Sequence, residues 1–176
     1  MNMKISTYKD FLMAYNEHTN IYSKNAYDKL DFHIEDSLTL ANLIGDCHLR
    51  IADFGSGSGL PAIILAIANP NNIVFAIESK SRKTRFLNQV VSELGLENVS
   101  VVNENLYEWV RRVDQPFDII TAKAFGSVDK ITDIAKSIVL SGHSKLFIPY
   151  SRIQANSVDA SFIVEQSDFI YYSKTF

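Results

Sequence analysis

A carboxylate, a run of glycines and a second carboxylate are the first residues in this chain whose types and spacing suggest chemistry. Asp53 stands two residues ahead of Gly55-Ser56-Gly57-Ser58-Gly59-Leu60-Pro61, and Glu78 closes the next apolar run. Glycines so spaced let the backbone turn sharply and approach a ligand with no Cβ in the way. A dinucleotide-binding turn wants G-x-G-x-x-G with a pyrophosphate on the following helix N-terminus. The sixth position here is Leu60, so that template fails. An acid ahead of the glycines would repel a pyrophosphate but attract an ammonium group. An acid at the end of the second strand is placed to accept both hydroxyls of a ribose. Together they suit a nucleoside with a cationic amino-acid tail, which describes S-adenosylmethionine. The plainer alternative is that Asp53 caps the turn, the glycines only permit it, and Glu78 is a solvated strand end.

Elements that could position these groups follow from the hydrophobic pattern. Residues 5–45 read as helix, with Phe11, Leu12 and Tyr15 on one face of a first helix and Leu38, Leu40, Leu43 and Ile44 on that of another, ended by Gly45. Apolar runs at Leu49–Phe54, Ile73–Ile77, Val99–Val102, Phe117–Thr121 and Lys145–Ile148, the last stopped by Pro149, alternate with helical segments. Those segments are Leu60–Ala68 with Pro61 at the first helical position, Ser81–Leu94 closed by Gly95, Tyr107–Arg111 and Val128–Val139. Strand and helix in alternation demand a parallel sheet with helices on both faces. At the end, Ala160–Glu165 and Asp168–Tyr172 are separated only by Gln166 and Ser167, the mark of an antiparallel hairpin. The expectation is one α/β domain over 1–176, with a helical cap at 1–45 and the sheet-bearing core at 46–176.

With 47% apolar and 21% charged residues in 176, the chain is an ordinary folded domain, neither disordered nor repetitive. Its longest apolar stretch, Leu60–Ala68, is interrupted by Pro61 and falls well short of the ~20 residues that cross a bilayer. No secretion signal is evident, so a cytoplasmic protein with no membrane contact is expected. Cys47 is the sole cysteine, which excludes an internal disulfide and multi-thiolate metal sites, and the four histidines show no metal-ligand spacing. A net charge of -3 has the wrong sign for a surface that grips nucleic acid everywhere, so any RNA contact must be a local patch.

Four segments resemble the bacterial small-subunit ribosomal RNA guanine-N7 methyltransferases, also called glucose-inhibited division protein B. They are Tyr15-Asn16 with Asn20-Ile21; His33-Ile34-Glu35-Asp36-Ser37-Leu38; Asp53 to Pro61; and Ser81 to Leu87 with Thr121-Ala122-Lys123-Ala124-Phe125-Gly126-Ser127. The resemblance implies a class I S-adenosylmethionine-dependent methyltransferase (Rossmann-like) sheet, mostly parallel, with the C-terminal hairpin and the N-terminal helical cap. It implies methyl transfer to guanine N7 of 16S ribosomal RNA, as free RNA or in the particle; a monomer is expected. By position, Asp53, Gly55, Ser56, Gly57, Gly59 and Leu60 would surround the methionine moiety, Glu78 the ribose, and Asn105 and Leu106 the adenine. Lys123, where the family usually has arginine, would be the catalytic residue facing the guanosine. A second family lysine has no counterpart near Ile148-Pro149-Tyr150.

Such a reaction needs no general base, because a sulfonium methyl is electrophilic and guanine N7 has a free lone pair. Positioning alone can supply ~7 to 11 kcal/mol of the barrier. Lys80, Arg82, Lys83 and Arg85 crowd the start of a helix, against its dipole, and with Lys123, Lys130 and Lys136 they form a candidate RNA rim. A solvated basic stretch is the alternative. Phe125, Tyr107 and Trp109 could stack a base, although core packing suits Trp109 better. His33 and Asp36 share a helical face, so Asp36 either orients the cofactor or merely helps dock the cap. Pro149-Tyr150 sits after the wrong strand to be an amino-group methyltransferase box. Two other functions are a non-catalytic RNA-binding or assembly module that keeps the cofactor fold, and a small-molecule methyltransferase.

Overall fold

Strands that carry apolar side chains at almost every position must be covered on both faces, and the segments after Gly45 obey that rule. The computed structural model describes residues 3–123 and 126–176. Within them lie β1 (Arg50–Phe54), β2 (Ile73–Glu78), β3 (Val99–Asn103), β4 (Ile119–Ala122), β5 (Lys145–Tyr150), β6 (Ile163–Gln166) and β7 (Phe169–Thr175). The sheet order is β3-β2-β1-β4-β5-β7-β6, with the first five strands parallel and β7 antiparallel to both β5 and β6. Between the strands run α3 (Ala62–Ala68), α4 (Ser81–Glu93), α5 (Leu106–Val110) and α6 (Val128–Ala135).

Alternation along each strand divides the interior into two cores. Ile51, Val74, Ala76, Ile119, Phe147 and Tyr171 face one core with α3, α4 and the cap helices α1 (Met3–Asn16) and α2 (Leu30–Ile44). Ala52, Phe54, Ile77, Ile120, Ala122 and Leu146 face the other with residues of α5 and α6, where Trp109 packs its ring 5.5 Å from that of Phe117. Asp53 falls in the same alternation as Ile51, so its side chain lies on the cap side of the sheet.

The cap is the two helices expected, with a 3-10 turn at Lys24–Lys29 between them. The fully buried Asn16 organises that connection. Its Nδ2 donates to Tyr22 O at 2.7 Å, and its Oδ1 accepts from the amides of Ile21 and Tyr22 at 2.7 and 3.1 Å.

Several boundaries depart from the sequence reading. Pro61 is the N-cap of α3 instead of its first residue. α6 stops at Ala135 because Val139 is drawn into a parallel bridge with Phe117. β5 continues through Pro149 to Tyr150: β4 pairs only as far as Phe147, so the missing N–H falls where one side of the strand has no ladder to lose. The C-terminal turn is Ser167-Asp168, with Ser167 at φ 55, and Ala160–Phe162 forms a 3-10 turn ahead of β6. α7 (Arg152–Ala155) was not anticipated, although Ser151 and Gln154 form the capping box that announces it.

The glycines of the first crossover have different reasons to be glycine. At Gly59, with φ +92, a Cβ would lie 2.5 Å from Ile63 Cγ1 and 3.1 Å from Leu87 Cδ2, so this position lets α3 and α4 pack closely. At Gly95, with φ +55, a Cβ would meet open space. Gly59→Ala should therefore lower the unfolding free energy by about 3 kcal/mol, and Gly95→Ala by only about 1 kcal/mol for its left-handed backbone. Urea denaturation of both variants checks this; equal losses would show that packing at Gly59 is not the constraint.

Candidate functional site

Parallel strands present all their C-terminal ends along one edge, and the order reverses between β1 and β4, the place where open α/β sheets form a ligand crevice. Asp53, at the β1 tip, is 1% exposed. Its β4 register partner Thr121 donates a hydroxyl hydrogen bond to Asp53 Oδ1 at 2.7 Å. Asp53 Oδ2 is buried with no hydrogen-bond partner among the described residues. Burial pushes the carboxyl up to about 6, against the opposing pull of Thr121, Ser56 and the Lys123 charge. A buried acceptor kept half satisfied at a strand tip is suited to a cationic donor from outside the protein.

Beyond Asp53 the turn is held open by bonds to the neighbouring strand. The amides of Gly55 and Ser56 donate to Ile77 O at 2.9 and 3.1 Å, and Gly57 N donates to Glu78 Oε2 at 3.1 Å. Gly57 has φ +57, and a Cβ there would lie 3.5 Å from Lys83 Nζ. Glu78 is 7% exposed, so the solvated-strand-end alternative fails. Its Oε1 accepts from Lys80 N at 2.9 Å, and Lys83 Nζ stands 4.0 Å from Oε2. Each oxygen retains a lone pair for a ligand hydroxyl. Asn103 Nδ2 donates to the carbonyls of Glu78 and Ser79, and Asn105 caps α5 by accepting from Tyr107 N, with Leu106 buried just inside the helix.

Lys123, one residue past β4, is an ion-pair partner of the cap. Its Nζ donates to Asp36 Oδ2 at 2.8 Å, and the buried Tyr171 hydroxyl of β7 donates to Asp36 Oδ1 at 3.0 Å and to Asp36 O at 2.9 Å. His33 does not join this pair; its Nδ1 meets the Tyr22 hydroxyl at 2.6 Å. Burial, then the Lys123 charge, hold the His33 imidazole below its ordinary range. A second strap comes from α1, whose fully buried Tyr8 donates to Ser58 O in the glycine turn at 2.8 Å.

The basic residues are not all gathered on one rim. Lys80, Arg82 and Arg85 are exposed around the start of α4, with Arg82 bonded to Asn20 O of the cap at 3.0 Å. Lys83 turns inward to Glu78. Lys130 lies over the ring of the partly exposed Tyr107, 5.5 Å from its centroid, and Lys136 pairs with Asp133 at 2.9 Å. Phe125 lies outside the described residues. Cys47 is exposed, and among the described residues no three His, Cys, Asp or Glu side chains gather as metal ligands.

A sequence profile described as rRNA small subunit methyltransferase G, GidB, matches residues 1–172. The chain belongs to that family. Among its relatives, the ribosomal RNA small subunit methyltransferase G of Nitrosococcus oceani is 41% identical over 69% of this chain and 55% of its own length. The one of Chromobacterium violaceum is 34% identical over 77% of this chain and 64% of its own. The chain thus spans somewhat more than half the length of these relatives. In fold it is similar to the precorrin-6y C5,15-methyltransferase of Geobacter metallireducens, with TM-score 0.61 and 16% identity over 90% of this chain and 91% of that one. An S-adenosylmethionine-dependent O-methyltransferase of Thermotoga maritima aligns with TM-score 0.59 and 16% identity over 81% of this chain and 65% of that one. The architecture is the class I methyltransferase, Rossmann-like sheet.

Three residues of this rRNA small subunit methyltransferase G family member escaped the sequence reading. Thr121 needed the strand register, and Tyr8 and Tyr171 look like ordinary core aromatics until their hydroxyls are placed. The raised carboxyl of Asp53 has a measurable consequence. Above pH 6 the folded chain holds a buried anion that the unfolded chain solvates freely, so stability is greatest below about pH 4 for this group and is lost as pH rises through about 6. That loss amounts to about 3 kcal/mol at most. Asp53→Asn should remove this slope, so that ligand-free variant and parent differ more at pH 8 than at pH 4 in denaturant midpoint, with the variant the more stable at pH 8.

Proposed function

We propose that this chain is an S-adenosylmethionine-dependent methyltransferase acting on a guanine N7 of small-subunit ribosomal RNA in the cytoplasm. The observation that carries the reading is the buried, unpartnered Oδ2 of Asp53 beside a turn whose Gly57 amide is already fixed to Glu78. The donor set fits the cofactor. Asp53 with the Gly55–Gly59 and Leu60 segment would hold the amino-acid end, Glu78 the ribose, and Asn105 and Leu106 the adenine. When bound, S-adenosylmethionine supplies an electrophilic methyl that the N7 lone pair takes up, the electron pair of the broken carbon–sulfur bond staying on sulfur.

The chain itself then has little chemistry to perform. Lys123, anchored through one N–H to Asp36, keeps two more donors for an acceptor oxygen. Exposed Lys80, Arg82 and Arg85 offer phosphate contacts next to the glycine turn, a use that would offset the cost of cations at that end of α4. Among the described residues no helix is long and apolar enough to cross a membrane.

Calorimetric titration with S-adenosylmethionine should show affinity rising with pH to a plateau above about 6, because only the ionised Asp53 pairs with an ammonium. Asp53→Asn should lose about ten-fold or more, and unchanged affinity would remove the cofactor site. Nucleoside analysis of 16S ribosomal RNA from cells lacking the gene should show a missing 7-methylguanosine that the gene restores. An unchanged profile with intact cofactor binding would make the chain a non-catalytic module or a small-molecule enzyme.

A further inference from the structure

A hollow of about 330 Å3 lies on the far side of Lys123 from the glycine turn, within the size range of roughly 300 to 1,000 Å3 typical of ligand pockets. Its walls come from segments far apart in the chain: Phe32 in the first turn of α2, Lys123 after β4, Tyr150 and Arg152 where β5 gives way to α7, and Asp168 and Phe169 at the β6–β7 turn. We propose that this hollow receives the acceptor purine, with the Phe32 ring as its stacking face and the Asp168 carboxylate as its counter-charge. This rests on the methyl-transfer reading above.

Position is the first argument. Asp53, Gly57 and Glu78 lie over β1 and β2, while the hollow opens beyond β4, over β5 and β7. Lys123 lines the hollow, and its charge also acts on Asp53 at the β1 tip. A methyl passed from that tip to the hollow crosses the reversal point of the sheet.

Surface chemistry is the second. Phe32 is a large aromatic left 55% exposed in the wall of the hollow, steadied by Phe169 with ring centroids 5.1 Å apart. Unstacked bases of RNA are held by such rings. Charge is the third argument. Lys123 is neutralised by Asp36, and Arg152 lies 3.7 Å from Glu165. Asp168 is exposed and has no hydrogen bond or ion pair among the described residues. A purine alkylated at N7 carries a positive charge that the neutral base lacks. A carboxylate in this hollow therefore favours the charged state over the ground state, the condition for raising turnover rather than binding.

The test is steady-state transfer from labelled S-adenosylmethionine to small ribosomal subunits purified from cells lacking the gene, with calorimetric cofactor affinity measured on every variant. Phe32→Ala should raise KM for the subunit about ten-fold with kcat nearly unchanged, and Phe32→Trp should restore it. Asp168→Asn should lower kcat about ten-fold with KM nearly unchanged, and Asp168→Glu should recover part of the loss. Both residues are exposed, so thermal melts of the variants should match that of the parent. If the parent transfers methyl and both variants match it, the hollow is not the acceptor site and methyl transfer stands. If cofactor affinity falls with either variant, the hollow belongs to the cofactor half and the proposal is overturned. A parent that binds cofactor but methylates no subunit overturns the ribosomal reading and this inference together.

Discussion

Everything at this site depends on keeping one carboxylate buried and half satisfied. Asp53 sits at the tip of β1, flanked by β2 and β4 and only 1% exposed, so water cannot complete its hydrogen bonding. Thr121 fills one oxygen and leaves the other open. Such an arrangement weakens the ligand-free protein, and a core selected for stability alone would have no reason to retain it. The same arrangement makes an incoming ammonium valuable, because it supplies the missing donor and the missing charge in one contact.

The rest of the crevice is organised to hold its shape without a ligand. Amides of the glycine turn are bonded to the end of β2 rather than left to search for partners, and Glu78 is fixed from two sides. Preorganisation of this kind reduces the ordering cost of binding. Across the sheet reversal, Lys123 is similarly fixed, since Asp36 holds it and Tyr171 holds Asp36. Side chains from α2, from the end of β4 and from β7 are thus linked through the Asp36 carboxylate.

Reading the sequence captured what periodicity and turn chemistry encode. The parallel strands, the G-x-G-x-G turn, the two acids and the terminal hairpin all follow from local signals and from strand–helix alternation. Element ends were less legible, because competing tertiary bonds decide them: Val139 leaves its helix for a bridge with Phe117, and Pro149 stays in β5 because β4 has already ended. Long-range polar contacts were not legible at all. Nothing in a single sequence distinguishes Tyr171, 135 positions from Asp36, from a tyrosine that merely packs. The inward turn of Lys83 and the placing of Lys130 over Tyr107 likewise depend on how crossovers settle, not on charge spacing.

The two straps from the cap, Tyr8 to Ser58 and Asp36 to Lys123, have a consequence for modularity. A chimaera that set this sheet beneath a foreign helical lid would preserve the strands and the glycine bend. It would nonetheless release the Ser58 carbonyl and strip Lys123 of its counter-ion, leaving the glycine turn with no fixed cation across it. Lid and sheet are therefore a single inheritance, since the bonds that fix the turn and Lys123 come from α1 and α2.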